Sequence, residues 1–261
     1  MTNDIFTGAL QVRAYECDSL GHVNNAVYLQ WLQQLTLDAS HAAGLDDANA
    51  AWSLQTLAIE YHAPARDSDT LKLATWVLDS HDSSLTRGYK VHRVDGDVDT
   101  HVASARIQWV WRDRPSGQPR PMNNLSAITL RDGPPVIKAF TPPEDNGSYQ
   151  YRWQHTVRRY ELEGPGQVSV AAWFHWLEEA TFQATTAAGW TLERMREIDF
   201  MSYQRRHDTA FFGPAMVSDE LEIVSRLADM RRIRGLWLHE VYHAKSRALL
   251  MRDYSTGAFV T

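Results

Sequence analysis

The chain has 261 residues, 44% of them apolar and 22% charged, with a formal net charge of −6. That balance suits a globular protein of one large domain or two ordinary ones. It argues against a nucleic-acid partner, which needs a clustered basic excess, and no apolar run reaches the ~18 residues of a membrane span.

The opening residues, MTNDIFTGALQ, carry neither the basic region nor the apolar core of a secretory signal. Cys17 is the single cysteine, so no internal disulfide can form and the expected compartment is a reducing cytoplasm. Residues 12–18 read as a short strand ending in a polar turn, Asp18-Ser19-Leu20-Gly21. Asn24 then offers an N-cap to a helix over residues 25–43. Val27, Trp31, Leu32 and Leu35 share one face of it, and Ala39, Ala42 and Ala43 extend that face. Gly44 stands where a left-handed C-cap belongs. Segments 54–61, 70–78, 86–94 and 101–111 are rich in Thr, Val, Trp and Tyr and read as strands. A long helix followed by several antiparallel strands predicts an α+β layer pair, the helix burying one sheet face.

Residues 113–148 contain Pro115, Pro119, Pro121, Pro134, Pro135, Pro142 and Pro143 with little periodicity. Proline removes backbone donors and favours extended chain, so this stretch reads as a surface linker. Beyond it the pattern begins again. Residues 12–44 laid on 157–189, a constant shift of 145, give fourteen identities in 33 pairs. Among them are Arg13/Arg158, Tyr15/Tyr160, Glu16/Glu161, Val23/Val168 and Trp31/Trp176. A second block, Pro64-Ala65-x-x-Ser68-Asp69-x-Leu71, recurs as Pro214-Ala215-x-x-Ser218-Asp219-x-Leu221 at a shift of 150. Two blocks in the same order predict a tandem repeat: residues 1–112, a linker over 113–148, and a second unit over 149–261.

The copies differ in one place. The first reads Asp18-Ser19-Leu20-Gly21-His22-Val23-Asn24-Asn25, with Tyr28 following; the second reads Glu163-Gly164-Pro165-Gly166-Gln167-Val168-Ser169-Val170. The first run, with Tyr61-His62-Ala63-Pro64-Ala65 and Asp69-Thr70-Leu71 after it, resembles the signature of the 4-hydroxybenzoyl-CoA thioesterase-like branch of the hotdog superfamily. The resemblance covers the first copy to about Trp111 and the second more loosely. It implies a hotdog fold in each copy, a sheet wrapped around a central helix, with two units paired over their acyl sites. A fused pair implies an intramolecular pseudo-dimer, as in the plant acyl-acyl-carrier-protein thioesterases; further homo-oligomerisation stays open. Departures from the plant pattern are clear. Its motif asparagine aligns with Leu20 and its strand glutamate with Pro64, and its motif lies in the C-terminal unit.

The implied activity is hydrolysis of acyl-CoA or acyl-carrier-protein thioesters without metal or cofactor. Asp18 is the expected base or nucleophile. It precedes a helix N-terminus whose amides can receive an oxyanion, and the resemblance assigns that donor to the Asn25 backbone. His22 is expected to orient water or the thioester oxygen. Asn24 divides between helix cap and substrate contact, and Tyr28 between core and pocket lining. Arg or Lys side chains at the mouth should meet the phosphates of the substrate. Two other classes fit less well: a hotdog dehydratase or hydratase, and a non-catalytic acyl-thioester binding or accessory protein. Three features compete for attention. Cys17 alternates away from Asp18 and pairs with Leu162 in the repeat, which favours packing. Glu178 and Glu179, on the second helix, read as solvated. His239-Glu240-Val241-Tyr242-His243 spells H-E-x-x-H, but its neighbours favour a strand, where histidines four apart lie ~13 Å from one another and cannot share a zinc.

Overall fold

The computed structural model describes residues 5–122, 128–131, 136–144, 150–163, 166–231 and 233–260. Gly164, Pro165 and two prolines of the 113–148 stretch, Pro134 and Pro135, fall outside them. Contacts divide the chain into two compact units, Met1–Lys138 and Ala139–Thr261.

The first unit comprises β1 (Phe6–Gln11), α1 (Asn25–Ala42), β2 (Ala50–Tyr61), β3 (Thr70–His81), β4 (Ser84–Asp95) and β5 (Val98–Asp113). Its antiparallel sheet runs β1-β3-β4-β5-β2. The second comprises β6 (Gln150–Thr156), the short β7 (Leu162–Glu163) and β8 (Gln167–Val168), α2 (Val170–Ala187), α3 (Leu192–Glu197), β9 (Met201–Phe211), β10 (Glu220–Arg231), β11 (Arg234–His243) and β12 (Leu249–Val260). Its main sheet runs β6-β10-β11-β12-β9, the same order element for element. Even the irregularities repeat: a bulge at Val77/Asp79 recurs at Leu227/Asp229.

In each unit the long helix packs on one sheet face. Leu29, Leu32 and Leu35 of α1 are buried, as are Leu71, Tyr89, Ile107 and Trp109 from the strands. Phe174 and Leu177 of α2 and Ile223, Val241 and Met251 do the same in the second unit. Asn24 and Ser169 cap the two helices, accepting from Ala26 N and Ala172 N. α1 stops one residue short of the expected end, and both helices give way to a glycine at positive φ, Gly44 and Gly189.

The invariant pairs of the repeat are structural. Glu16 accepts from Arg13 N (2.8 Å) and from Trp31 Nε1 (3.1 Å). Glu161 accepts from Arg158 N (2.6 Å), Trp176 Nε1 (2.8 Å) and His155 Nε2 (3.1 Å). Each glutamate thereby ties the entry loop to its helix. Ser68 and Ser218 both sit at φ 68°, and Asp69 and Asp219 close the same turn by accepting from Arg66 N and Met216 N.

One expectation needs correction. Residues 12–18 are not a strand. β1 ends at Gln11, and Ala14–Glu16 form a 3-10 turn, because Glu16 folds back on the Arg13 amide. The second copy also carries α3, capped by Thr191, in the stretch where the repeat shift rises from 145 to 150. The described part of 113–138 packs on the first unit: Arg120 N donates to Trp111 O, Met122 N to Asp82 O and Arg131 N to Val77 O. Met122 and Ile137 are buried there.

Candidate active site

The Asp18–Asn24 loop folds back on the N-terminus of α1. Asp18 N donates to His22 O (2.7 Å) and Gly21 N to Asp18 O (3.0 Å), while Cys17 bridges Val23. Val23 N reaches Ala65 O and Asn24 N reaches Glu16 O, both at 2.9 Å, which anchors the loop to the Pro64-Ala65 turn and the 3-10 turn. Gly21 takes φ +72°, a conformation that L side chains resist.

Asp18 is half-buried. Its Oδ1 accepts from Leu20 N (2.8 Å) and His22 N (3.2 Å), a turn that Asp makes readily. Among the described residues Oδ2 accepts no hydrogen bond. Asn25 is the first residue of α1, and no acceptor among the described residues takes its N–H. That amide is one of the orphan donors of a helix start. Its carbonyl accepts from Tyr61 Oη (3.2 Å). Asn24 is the cap, Oδ1 receiving Ala26 N at 2.9 Å. His22 is half-buried beside it. Tyr28 is 2% exposed and packs edge-on against Trp31 and Tyr61; burial pushes its hydroxyl pKa up.

The loop thus gathers Asp18, His22, Asn24 and Asn25 at one helix end, with Tyr28 one turn inward. Tyr61 belongs to the same constellation through the Asn25 carbonyl. The Tyr61-His62-Ala63-Pro64-Ala65 segment marks it in sequence, but the role of its hydroxyl has no local signature.

The second copy keeps the loop's frame. Leu162 pairs with Val168 and Glu163 with Gln167, each displaced by 145 from its first-copy counterpart. Gly164 and Pro165 of this loop lie outside the described residues.

The competing features resolve locally. Cys17 is half-buried, and burial with the nearby Asp67 carboxylate raises its thiol pKa, the wrong direction for a nucleophile. Glu179 is exposed and accepts from Gln183 (2.7 Å), and Glu178 lies 3.9 Å from His175. His239–His243 lies within β11. His239 is buried, with Ser225 Oγ at 2.8 Å, whereas Glu240 is held by Arg226 and Arg252. Among the described residues no group of three or more His, Cys, Asp or Glu could hold a metal. No described helix is long and apolar enough to cross a membrane.

Residues 12–135 match the sequence model of the Thioesterase-like superfamily. The chain is similar in structure to an acyl-ACP thioesterase from Bacteroides thetaiotaomicron, with a TM-score of 0.76 at 17% identity, covering 99% of this chain and 98% of that one. It is similar, too, to the 12:0-ACP thioesterase from Umbellularia californica, with a TM-score of 0.76 at 12% identity, covering 98% and 94%. No curated protein matches the chain in sequence. At these identities the likeness establishes the fold, a tandem double hotdog.

Proposed function

Residues 12–135 match the model of the thioesterase-like superfamily, and on that premise we propose that the chain hydrolyses acyl thioesters at the loop–helix junction of Asp18 and Asn25. One observation carries the reading: the loop leaves Asp18 Oδ2 and the Asn25 N–H both uncommitted at the same helix N-terminus. Thioester hydrolysis needs a base or nucleophile on one side of the carbonyl and a preorganised donor on the other. Asp18 supplies the first, activating water or attacking directly. The Asn25 amide supplies the second, favoured by the positive end of the α1 dipole.

His22 orients the water or the thioester oxygen, and Tyr28 with Tyr61 backs the acyl side. Asn24 serves chiefly as the cap that holds the Asn25 amide in place. The carrier is coenzyme A or acyl carrier protein; the second is the carrier named for the two similar structures. The tandem arrangement gives one working site per chain, because the second copy replaces every polar group of the motif. A reducing cytoplasm is the compartment that fits a lone cysteine.

A binding-only role has one observation in its favour: Asp18 Oδ1 is already spent on two loop amides. A panel of acyl-CoA and acyl-carrier-protein thioesters, followed by thiol release, separates the two. Release well above the uncatalysed rate with any member supports the hydrolase. Saturable binding without release supports the binder.

A further inference from the structure

Strand β4 carries Arg87 on the face turned toward α1, in the same alternating register as Leu85 and Tyr89. Arg87 is 4% exposed. Among the described residues no carboxylate pairs with it, and its buried Nε–H meets no acceptor. Val77 of β3 and Ile107 of β5 flank it. Burial pulls the guanidinium pKa down, opposed by Tyr89. An uncompensated buried ion is strongly unfavourable even after relaxation. Diagonal to Arg87, Thr75 is fully buried; its Oγ1 faces the Tyr89 hydroxyl across the strand pair but makes no hydrogen bond of normal length. Tyr89, beside both, is served by Thr36 (2.6 Å) and Trp109 Nε1 (2.8 Å). Two unmet polar groups therefore sit one rung apart in an apolar layer.

The second unit provides an internal control. Trp237 takes the register of Arg87, with Leu227 and Ser255 at its sides. Ser225 takes the register of Thr75 and bonds His239 Nδ1 at 2.8 Å. The fold therefore works without a cation at this position, and the second copy leaves its equivalent hydroxyl bonded. The unmet groups belong to the motif-bearing copy alone.

We propose that Arg87, with Thr75, forms an anion subsite inside the first unit that receives a carboxylate carried on an alkyl chain. A guanidinium presents paired N–H donors that match a carboxylate, and the Thr75 hydroxyl adds one more. The side chains around it, Val77, Leu85 and Ile107, are apolar and buried, so an alkyl part would have to part them to enter. On the thioester reading above, such a group has two sources: the far carboxylate of a dicarboxylic acyl thioester, or the carboxylate of the released acid. The site itself does not depend on turnover.

The test is thermal unfolding of the full chain with α,ω-dicarboxylic acids, monocarboxylic acids and alcohols of graded length, in wild type, Arg87→Met and Arg87→Lys. Acids should raise the wild-type melting temperature in a concentration-dependent way and alcohols should not. Methionine at position 87 should abolish the acid effect, and lysine, which keeps the charge but not the fork, should weaken it. The ratio of kcat/KM for an ω-carboxyacyl-CoA over a plain acyl-CoA of equal length then identifies the source. A fall of tenfold or more in Arg87→Met points to the far carboxylate. An unchanged ratio with acid stabilisation confined to wild type points to the released acid. Acids that stabilise wild type no better than alcohols, or that stabilise Arg87→Met equally, overturn the subsite. If the methionine variant does not fold, the wild-type comparison of acids with alcohols still decides. Acid binding without thioester turnover would remove the hydrolase reading alone, and turnover without acid binding would remove the subsite alone.

Discussion

Glu161→Ala should be among the more damaging single changes in the second unit. The carboxylate is 9% exposed and accepts three hydrogen bonds, from Arg158 N, Trp176 Nε1 and His155 Nε2. Hydrogen bonds to a charged group contribute about 1.5–3 kcal/mol each, and a stranded buried donor costs about 1–3 kcal/mol. The terms do not add, because exposed Arg158 can turn its amide to water. The Trp176 indole, on a residue 3% exposed, cannot. A loss of about 3–4 kcal/mol follows. Glu16→Ala provides the matched comparison: its carboxylate is only half-buried and accepts from Arg13 N and Trp31 Nε1, so about 1–2 kcal/mol is expected. Hydrogen exchange read by mass spectrometry assigns the loss to each unit separately, since the units need not unfold together. A Glu161→Ala penalty equal to or below that of Glu16→Ala would refute the reasoning.

Three further outcomes follow from the same structure. Burial raises the Glu161 pKa, but its three donors outweigh burial and the net shift is downward. Its contribution is therefore present above about pH 4.3 and fades as pH falls through the lower folded value; the stability gap between wild type and Glu161→Gln, measured by denaturant titration, should narrow in acid. Burial pulls the His239 pKa down to about 4, with Asp253 opposing and His207 assisting. Neutral His239 therefore stabilises the fold above about pH 6.5, and that contribution is lost toward pH 4; His239→Gln should flatten the pH profile in this window. Gly88→Ala would put a methyl group 2.8 Å from the Trp76 ring and 2.9 Å from Val136, which should cost about 1–3 kcal/mol by overpacking, read as a lower melting temperature.

Most of the fold was legible because it rests on local rules stated twice. Asn24 and Ser169, the helical spacing of Trp31 and Leu32, and the glycines after each helix mark the same elements in both copies. The 12–18 segment misled because a side-chain contact, Glu16 to the Arg13 amide, overrides the extended preference of Val12 and Tyr15. The candidate site was legible as a cluster since its residues are contiguous in sequence. The division of labour within it was legible only in part: Asn24 reads as a cap and is one, whereas Asp18 Oδ1 as turn acceptor depends on which atoms the loop turns inward. Arg87 and the buried His207–Asp253 pair in the second unit (3.0 Å) carry no local motif. They become visible only when strand register sets each beside its counterpart in the other copy.

The central claim is that the first copy's motif does the hydrolysis, and steady-state kcat/KM for wild type, Asp18→Asn and Glu163→Gln on one accepted thioester tests it most directly. Asparagine keeps Oδ1 for Leu20 and His22, so the loop should hold, while the base or nucleophile is gone. Losing a positioned base typically costs on the order of a hundredfold to ten-thousandfold. A loss of that size is expected for Asp18→Asn in folded protein, with little change for Glu163→Gln. Near-wild-type turnover in Asp18→Asn, or equal losses in both variants, would contradict it.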